Sequence, residues 1–336
     1  MRILGLSQPF SGCGYHRVLL PLGFLNDTKA FVTNFPTPEV LVRGWDILLY
    51  NRVSMWDGQM QRVKDELGVK VVVDMDDAWN LPPDHVNYHD YETMKSRIEQ
   101  NLKDADLVTC TNERLAAKCR NWNDNVIILP NALPYGFNQF TDERSEDERV
   151  RIFWAGGVTH EKDLMMLRNP IKRLSVYKDK IKMVLGGYTD DNPVAKEIWT
   201  RMFSYFTAGG SLPYRKLSGV GPEHYMRLYQ EADIMVIPLE DSDWHGCKSN
   251  LKILEAAAKK IPVVVSKVEP YKNDLDAPVF WVESQKDWFE HLSYLINNEN
   301  ARLEAGHKLY EWAKKKYNLT KVNQKRRAAY SDLIKT

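Results

Sequence analysis

The chain has 336 residues, of which 43% are hydrophobic and 27% charged, and its formal net charge is +1. These proportions are ordinary for a soluble globular enzyme, and the length suggests about two domains. No stretch approaches the roughly 18 uncharged apolar residues of a membrane span, and the four scattered cysteines form neither a zinc motif nor a disulfide framework. The expectation is a reduced, cytoplasmic protein with no integral membrane association.

The first apolar run, Ile3–Leu6, leads into a glycine loop instead of a cleavage site and reads as a first strand. Strand-like runs follow at Ile47–Tyr50, Val69–Val73, Leu107–Cys110 and Val126–Leu129, alternating with helical patterns. The stretch from Tyr135 to Val150 is dense in charge and poor in aliphatics, which suits a solvated linker near residues 138–149. Beyond it come Arg151–Trp154, Lys182–Leu185, Ile234–Ile237 and Ile261–Val265. Such alternation predicts an α/β fold of two Rossmann-like domains. The expected divisions are residues 1–140, 150–310 and a C-terminal helix over 311–336. Ligands of open α/β sheets bind beyond the carboxyl ends of the strands, so the expected site is a cleft there.

Each polar motif does fall just after a strand. "SGCGYHRVLLPL" puts Gly12 and Gly14 at a tight turn before a helix, with Tyr15 and Arg17 behind them, as an acceptor or phosphate loop. "DMDDAW" follows Val73; Asp76 and Asp77 there suit an acceptor-side role or a catalytic base, a capping role, or a divalent metal. In "AGGVTHEKDL", Gly156, Gly157 and Thr159 precede a helix whose first turn carries His160 and Lys162. Gly187 and Tyr188 follow the next strand. His160 suits a hydrogen bond to a phosphate or sugar, and Tyr188 suits a pocket wall or plain core filling. In "HGCKSNLKILEAAAKKIPVVVS", Lys248, Ser249, Asn250 and Lys252 crowd a helix start, where unpaired N–H groups and the helix dipole favour a diphosphate. Glu255, acceptor-only and expected to face the cleft, suits ribose hydroxyls. The plain alternative is an exposed charge ladder of Lys248, Lys252 and Glu255.

The segment Tyr229 to Asn273 resembles the donor domain of GT-B glycosyltransferases, in the large retaining group that includes sucrose and glycogen synthase relatives. Glu255, Ala256 and "KIPVVVS" occupy that group's places, with Lys260 where glycine is usual. Cys247 stands where the group often carries a first glutamate; Asp241 or Asp243 are the nearby substitutes. The resemblance implies transfer of a sugar from a UDP- or GDP-type donor to a hydroxyl acceptor. The acceptor would be a glycan, a small molecule or a hydroxymethylated DNA base. Lys248, Lys162 and helix dipoles would stabilise the leaving diphosphate, so neither cofactor nor metal is required. The alternatives are a catalytically weak sugar-nucleotide-binding module, or a metal-dependent transferase using the Asp74–Asp77 cluster.

Charge bears on the acceptor. Residues 1–140 hold 14 basic and 17 acidic residues, a net of −3, against +4 for the remainder. That first half lacks the broad positive field of a DNA-binding surface. The basic stretch from His307 to Lys335 reads as a solvated helix face packing through Leu309, Trp312, Tyr330, Leu333 and Ile334.

Overall fold

A computed structural model describes residues 1–8, 11–190 and 192–335. It contains two sheets, each of six parallel strands. The first comprises β1 (Arg2–Leu6), β2 (Lys29–Thr33), β3 (Ile47–Asn51), β4 (Lys70–Met75), β5 (Leu107–Cys110) and β6 (Val126–Ile128), in the order β2-β1-β3-β4-β5-β6. The second comprises β7 (Val150–Ala155), β8 (Ile181–Tyr188), β9 (Tyr214–Ser218), β10 (Ile234–Ile237), β11 (Val263–Ser266) and β12 (Phe280–Val282), in the order β12-β11-β10-β7-β8-β9.

The aliphatic runs form strands because helices cover both faces of a parallel sheet, so most positions along the central strands are buried. Val71, Val72 and Val73 on β4, and Val263, Val264 and Val265 on β11, are all fully buried. Register follows from pairs such as Ile3 with Ile47 and Val236 with Val264. Three observed strands lie outside the sequence expectation: β2, β9 and β12. All three are edge strands, and most of their residues are exposed or half-buried.

The chain divides into two compact units. One comprises Met1–Ala132, Gly246–Ser249 and Tyr317–Thr336; the other comprises Leu133–His245 and Asn250–Lys316. The first unit thus recruits a four-residue loop and a C-terminal segment from far along the chain. Its helix Leu319–Leu333 contributes Tyr330 and Leu333 to a core with Ile3, Val18, Ile47 and Leu49. Of the tail's other expected packing residues, Leu309 is buried in the second unit, Trp312 donates its ring N–H to Asp276, and Ile334 is exposed.

Order reversal locates the ligand end of each sheet. In the first it lies between β1 and β3, and in the second between β7 and β10, each pair being neighbours whose onward connections run opposite ways. Ligands of doubly wound sheets bind outside the carboxyl ends at such points.

Candidate functional site

In the first unit, "SGCG" is not a tight turn. Ser11 caps a helix start at Gly12–Gly14, its hydroxyl accepting from the Gly14 N–H at 3.0 Å, and the chain continues as a π-helical turn over Tyr15–Leu19. Neither glycine has a positive φ. Gly14 is needed for room, since a Cβ would stand 2.2 Å from Ser7 Oγ, whereas Gly12 faces open space. Tyr15 is buried.

Arg17 is not a loop cation for phosphate. It is 1% exposed, and its guanidinium grips Asp74 at 2.8 and 2.9 Å and donates to Asn131 Oδ1 at 3.0 Å. Asn131 in turn donates to Ser249 Oγ at 2.8 Å. Asn112 donates to the carbonyls of Cys247 and Lys248 at 3.0 and 2.8 Å. Two asparagine side chains therefore fasten the loop Gly246–Ser249 to the first unit. Within it, Lys248 Nζ reaches Asp77 Oδ2 at 3.3 Å, and Cys247 is fully buried.

Asp76 and Asp77 thus sit in a charged cluster. Asp76 meets Arg52 Nε at 3.1 Å and accepts from Asn51 Nδ2 at 3.0 Å. Burial pushes both carboxyls up; beside Asp76 the Arg52 charge wins and holds it below the usual range. For Asp77 burial outweighs the attraction of Lys248, and the carboxyl is raised. Arg52 has φ +58, a left-handed conformation in a non-glycine residue, of the kind found at functional sites. Beside it lies a pocket of about 430 Å³ lined by Ser7, Ser11, Asn34, Ser54, Tyr91 and Arg97, among others. It lies at the carboxyl ends of β1 and β3.

In the second unit, the loops after β7 and β8 press together. Gly187 has φ +94, and a Cβ there would lie 2.4 Å from the Gly156 carbonyl oxygen. A Cβ on Gly156 would meet the Trp154 ring at 2.8 Å and Lys252 Nζ at 3.1 Å. Lys252 Nζ donates to the Ala155 carbonyl at 2.9 Å and lies over the Trp154 ring. Gly157 faces open space, Thr159 is half-buried, and Lys162 is exposed in the first turn of helix Glu161–Met165. Tyr188 packs edge-on against Trp199, the core-filling arrangement. Asn250, at the start of helix Leu251–Ala258, donates to Asp274 Oδ2 at 2.6 Å.

Glu255 departs from expectation. It is 3% exposed and therefore buried instead of open, with the Tyr229 hydroxyl donating to Oε2 at 2.6 Å. Burial pushes its carboxyl up to about 7, against the opposing pull of that hydrogen bond and of Lys252. An exposed Lys248–Lys252–Glu255 ladder is excluded, because the two lysines belong to different units and the glutamate is buried. Asp241 pairs weakly with Lys272 at 3.9 Å.

Sequence reasoning missed Asp163, Glu240 and His245. His160 Nδ1 lies 2.6 Å from Asp163 Oδ2, while Asp163 Oδ1 accepts from the Glu240 N–H at 2.9 Å and lies 3.8 Å from His245 Nε2. The spacing His160–Asp163 on a helix start was the available signal.

Residues 149–298 match the family model described as Glycosyl transferases group 1. No curated protein matches it by sequence. Among solved structures, sucrose-phosphate synthase from Thermosynechococcus elongatus is 13% identical with a TM-score of 0.72, covering 99% of both chains. HepE of Anabaena in complex with UDP-glucose is 12% identical with a TM-score of 0.68, covering 99% of this chain and 100% of its own. An alpha-glucosyltransferase in complex with UDP and a 13-mer DNA containing a HMU base is 13% identical with a TM-score of 0.68, covering 98% and 99%. The fold is therefore GT-B, two Rossmann-like domains. Among the described residues, no helix is long and apolar enough to cross a membrane.

Proposed function

We propose that this glycosyltransferase moves a hexosyl or pentosyl group from a UDP-sugar to a hydroxyl acceptor, with retention and without a metal. The observation that carries the reading is the assembly in the second unit. Gly156 and Gly187 keep the ends of β7 and β8 free of side chains, Lys252 supplies a positive charge there, and buried Glu255 supplies a carboxylate. Such a set suits a diphosphate beside a ribose, the carboxylate accepting from both ribose hydroxyls. Solved structures of similar fold hold UDP or UDP-glucose, which supports uridine as the base.

Metal independence is supported by the first unit's aspartates. Asp74 is held by Arg17, Asp76 by Arg52 and Asp77 by Lys248, so each carboxylate of that cluster already has a cationic partner. Stabilisation of the leaving diphosphate then falls to Lys252 and the histidine at the β7 loop, as fixed positive groups in place of an ion. The pocket beside Asp76 is our candidate for the acceptor. Its volume sits at the small end of the roughly 300–1,000 Å³ of small-molecule sites. Its two arginines are each paired with an aspartate, Arg52 with Asp76 and Arg97 with Asp57, so it favours a neutral polyol such as a glycan end over a phosphorylated or nucleic-acid acceptor.

The deciding experiment is a calorimetric titration of UDP, GDP and their sugars, repeated with Lys252→Ala. UDP should bind, and the variant should lose about tenfold or more, as expected for a charge-assisted contact. Equal affinity in the variant would remove the diphosphate from this loop. Transfer should persist in excess EDTA; activity restored only by manganese or magnesium would return the Asp74–Asp77 cluster to the donor.

A further inference from the structure

Three hydroxyls line the pocket of about 430 Å³ in the first unit, those of Ser11, Ser54 and Tyr91. Ser11 Oγ accepts from the Gly14 N–H at 3.0 Å, and Ser54 Oγ accepts from the Trp56 N–H at 3.1 Å. The Tyr91 oxygen accepts from the Arg52 guanidinium. In each case the partner can only donate, so the hydroxyl's own hydrogen is not spent in that bond. Among the described residues, none of these three hydroxyls donates to a protein group. Three O–H groups are therefore left to donate into one cavity. Burial raises the Tyr91 hydroxyl above its ordinary range, against the pull of Arg52, so it keeps its hydrogen at neutral pH.

The donors are held in place before any ligand arrives. Asp57 accepts from the Ser54 N–H at 2.8 Å, from Arg97 Nε at 2.8 Å and from Asn101 Nδ2 at 2.6 Å. These bonds tie the loop after β3 to helix Tyr88–Asp104. Arg52 lies over the Tyr91 ring, 5.9 Å from its centroid, so the tyrosine is gripped at its hydroxyl and its face. The same helix brings Met94 and Ile98 to the pocket. With Tyr91 they follow the spacing i, i+3, i+7 and form one largely apolar strip along the wall.

Each of these features removes a class of ligand. A hydrocarbon chain would take three O–H groups out of water and leave them unpaired, at a cost for each. An anion would meet arginines that are already committed, Arg97 to Asp57 and Arg52 to Asp76. An open-chain polyol supplies oxygens but no fixed apolar face for the strip. A sugar ring supplies both, with hydroxyl oxygens around its rim and C–H bonds across its faces.

We propose that this pocket takes an uncharged sugar ring as the acceptor, with Tyr91, Ser54 and Ser11 donating to its oxygens and Met94 and Ile98 carrying its C–H face. This rests on the transferase reading given above. Tyr91, Ser54 and Ser11 are then the residues that select the acceptor, and the donor is held by other groups.

The test is UDP release from UDP-glucose, UDP-galactose, UDP-N-acetylglucosamine and UDP-xylose. The acceptors offered are the methyl glycosides of glucose, galactose and mannose, together with sorbitol and glucose 6-phosphate. One methyl glycoside should show a kcat/KM at least about tenfold above both sorbitol and glucose 6-phosphate. With that glycoside, Tyr91→Phe and Ser54→Ala should each raise the acceptor KM about three- to tenfold while kcat moves less than about twofold, the pattern of a binding contact. UDP affinity by calorimetry should stay within about twofold in both. Ser54→Thr, which keeps a hydroxyl, should retain the wild-type KM. If Tyr91→Phe does not fold, the two Ser54 variants carry the same comparison. An unmoved acceptor KM would overturn the proposal, as would equal use of sorbitol or a preference for the phosphate. So would a wild type that binds UDP but transfers to none of the methyl glycosides. Absence of UDP binding in the wild type would instead sink the transferase reading itself.

Discussion

Glu255 turns on a competition between burial and use. A carboxyl pushed up to about 7 is half protonated at neutral pH, so the ligand-free protein holds this group against its ionisation. The sign follows from linkage: the folded state binds the proton more tightly than the unfolded chain, so stability falls as pH rises from the ordinary carboxylate range through 7. The penalty above that window is roughly 3 kcal/mol, taken from the size of the displacement. Glu255→Gln keeps an acceptor for the Tyr229 hydroxyl and has no charge to bury. Ligand-free, it should melt a few degrees above wild type at pH 8 and close to it at pH 5. For the donor the order reverses: one ribose hydroxyl loses its acceptor, and UDP affinity should fall about ten- to a hundredfold. Calorimetry and thermal melts on one variant check both. A variant less stable at pH 8 would mean that the carboxylate is a structural partner of Tyr229 and not a ligand held in reserve.

Among elements, helix Glu299–Lys316 lies against the end of helix Leu251–Ala258 at a contact that only glycine permits. A Cβ on Gly306 would fall 1.9 Å from the Lys260 carbonyl oxygen. Lys260 itself has φ +53, the left-handed position that closes the helix. The odd lysine in "KIPVVVS" is thus a residue in a backbone conformation that favours glycine, tied by its side chain to Asp142 at 2.6 Å. Gly306→Ala should destabilise the second unit by about 3 kcal/mol or more, since backbone cannot yield as a side chain would. Denaturant melts would show it, and a cost under about 1 kcal/mol would mean that the two helices can part freely.

The same elements show what patterning reveals. Every central strand was readable because burial on two faces writes a continuous aliphatic run. The edge strands β2, β9 and β12, mixed in polarity, were not. That Gly156, Gly187 and Lys252 lie together was readable, because motifs placed just after strands gather at one end of a parallel sheet. Two features were not. The capture of Lys248 by Asp77 depends on which unit claims a four-residue loop. The commitment of Arg17 to Asp74 depends on a pairing 57 positions apart, for which a local pattern has no signal. Asp163 was overlooked because it lies in a helix start where acidic residues are commonplace.

For the whole molecule, the telling fact is that the first unit is completed by the last segment of the chain. Residues Leu133–His245 and Asn250–Lys316 form the other unit before the chain returns at Tyr317. The returning helix buries Leu319, Val322, Tyr330 and Leu333, while Asn323 donates to the Pro21 carbonyl at 2.9 Å and Arg327 pairs with Asp27. Four buried apolar side chains at about 1.5–3 kcal/mol each amount to roughly 6–12 kcal/mol, an upper figure for an extended reference chain. That equals the net stability of an ordinary domain, about 5–15 kcal/mol. Removing residues 317–336 should therefore unfold the first unit and not merely loosen it. By hydrogen exchange, the amides of β1 and β3, which flank Ile3 and Ile47 beneath this helix, should lose their protection. Those of β7, β10 and β11 should keep theirs, since their core is drawn from the second unit alone. UDP affinity should stay within about threefold of the full chain, because the groups assigned to the donor, Gly156, Gly187, Lys252 and Glu255, all belong to the second unit. Retained protection across β1 and β3 would show that the helix is a dispensable strap. A loss of UDP binding with β7, β10 and β11 still protected would show that the donor needs residues of the first unit, and Lys248 would be the first to examine.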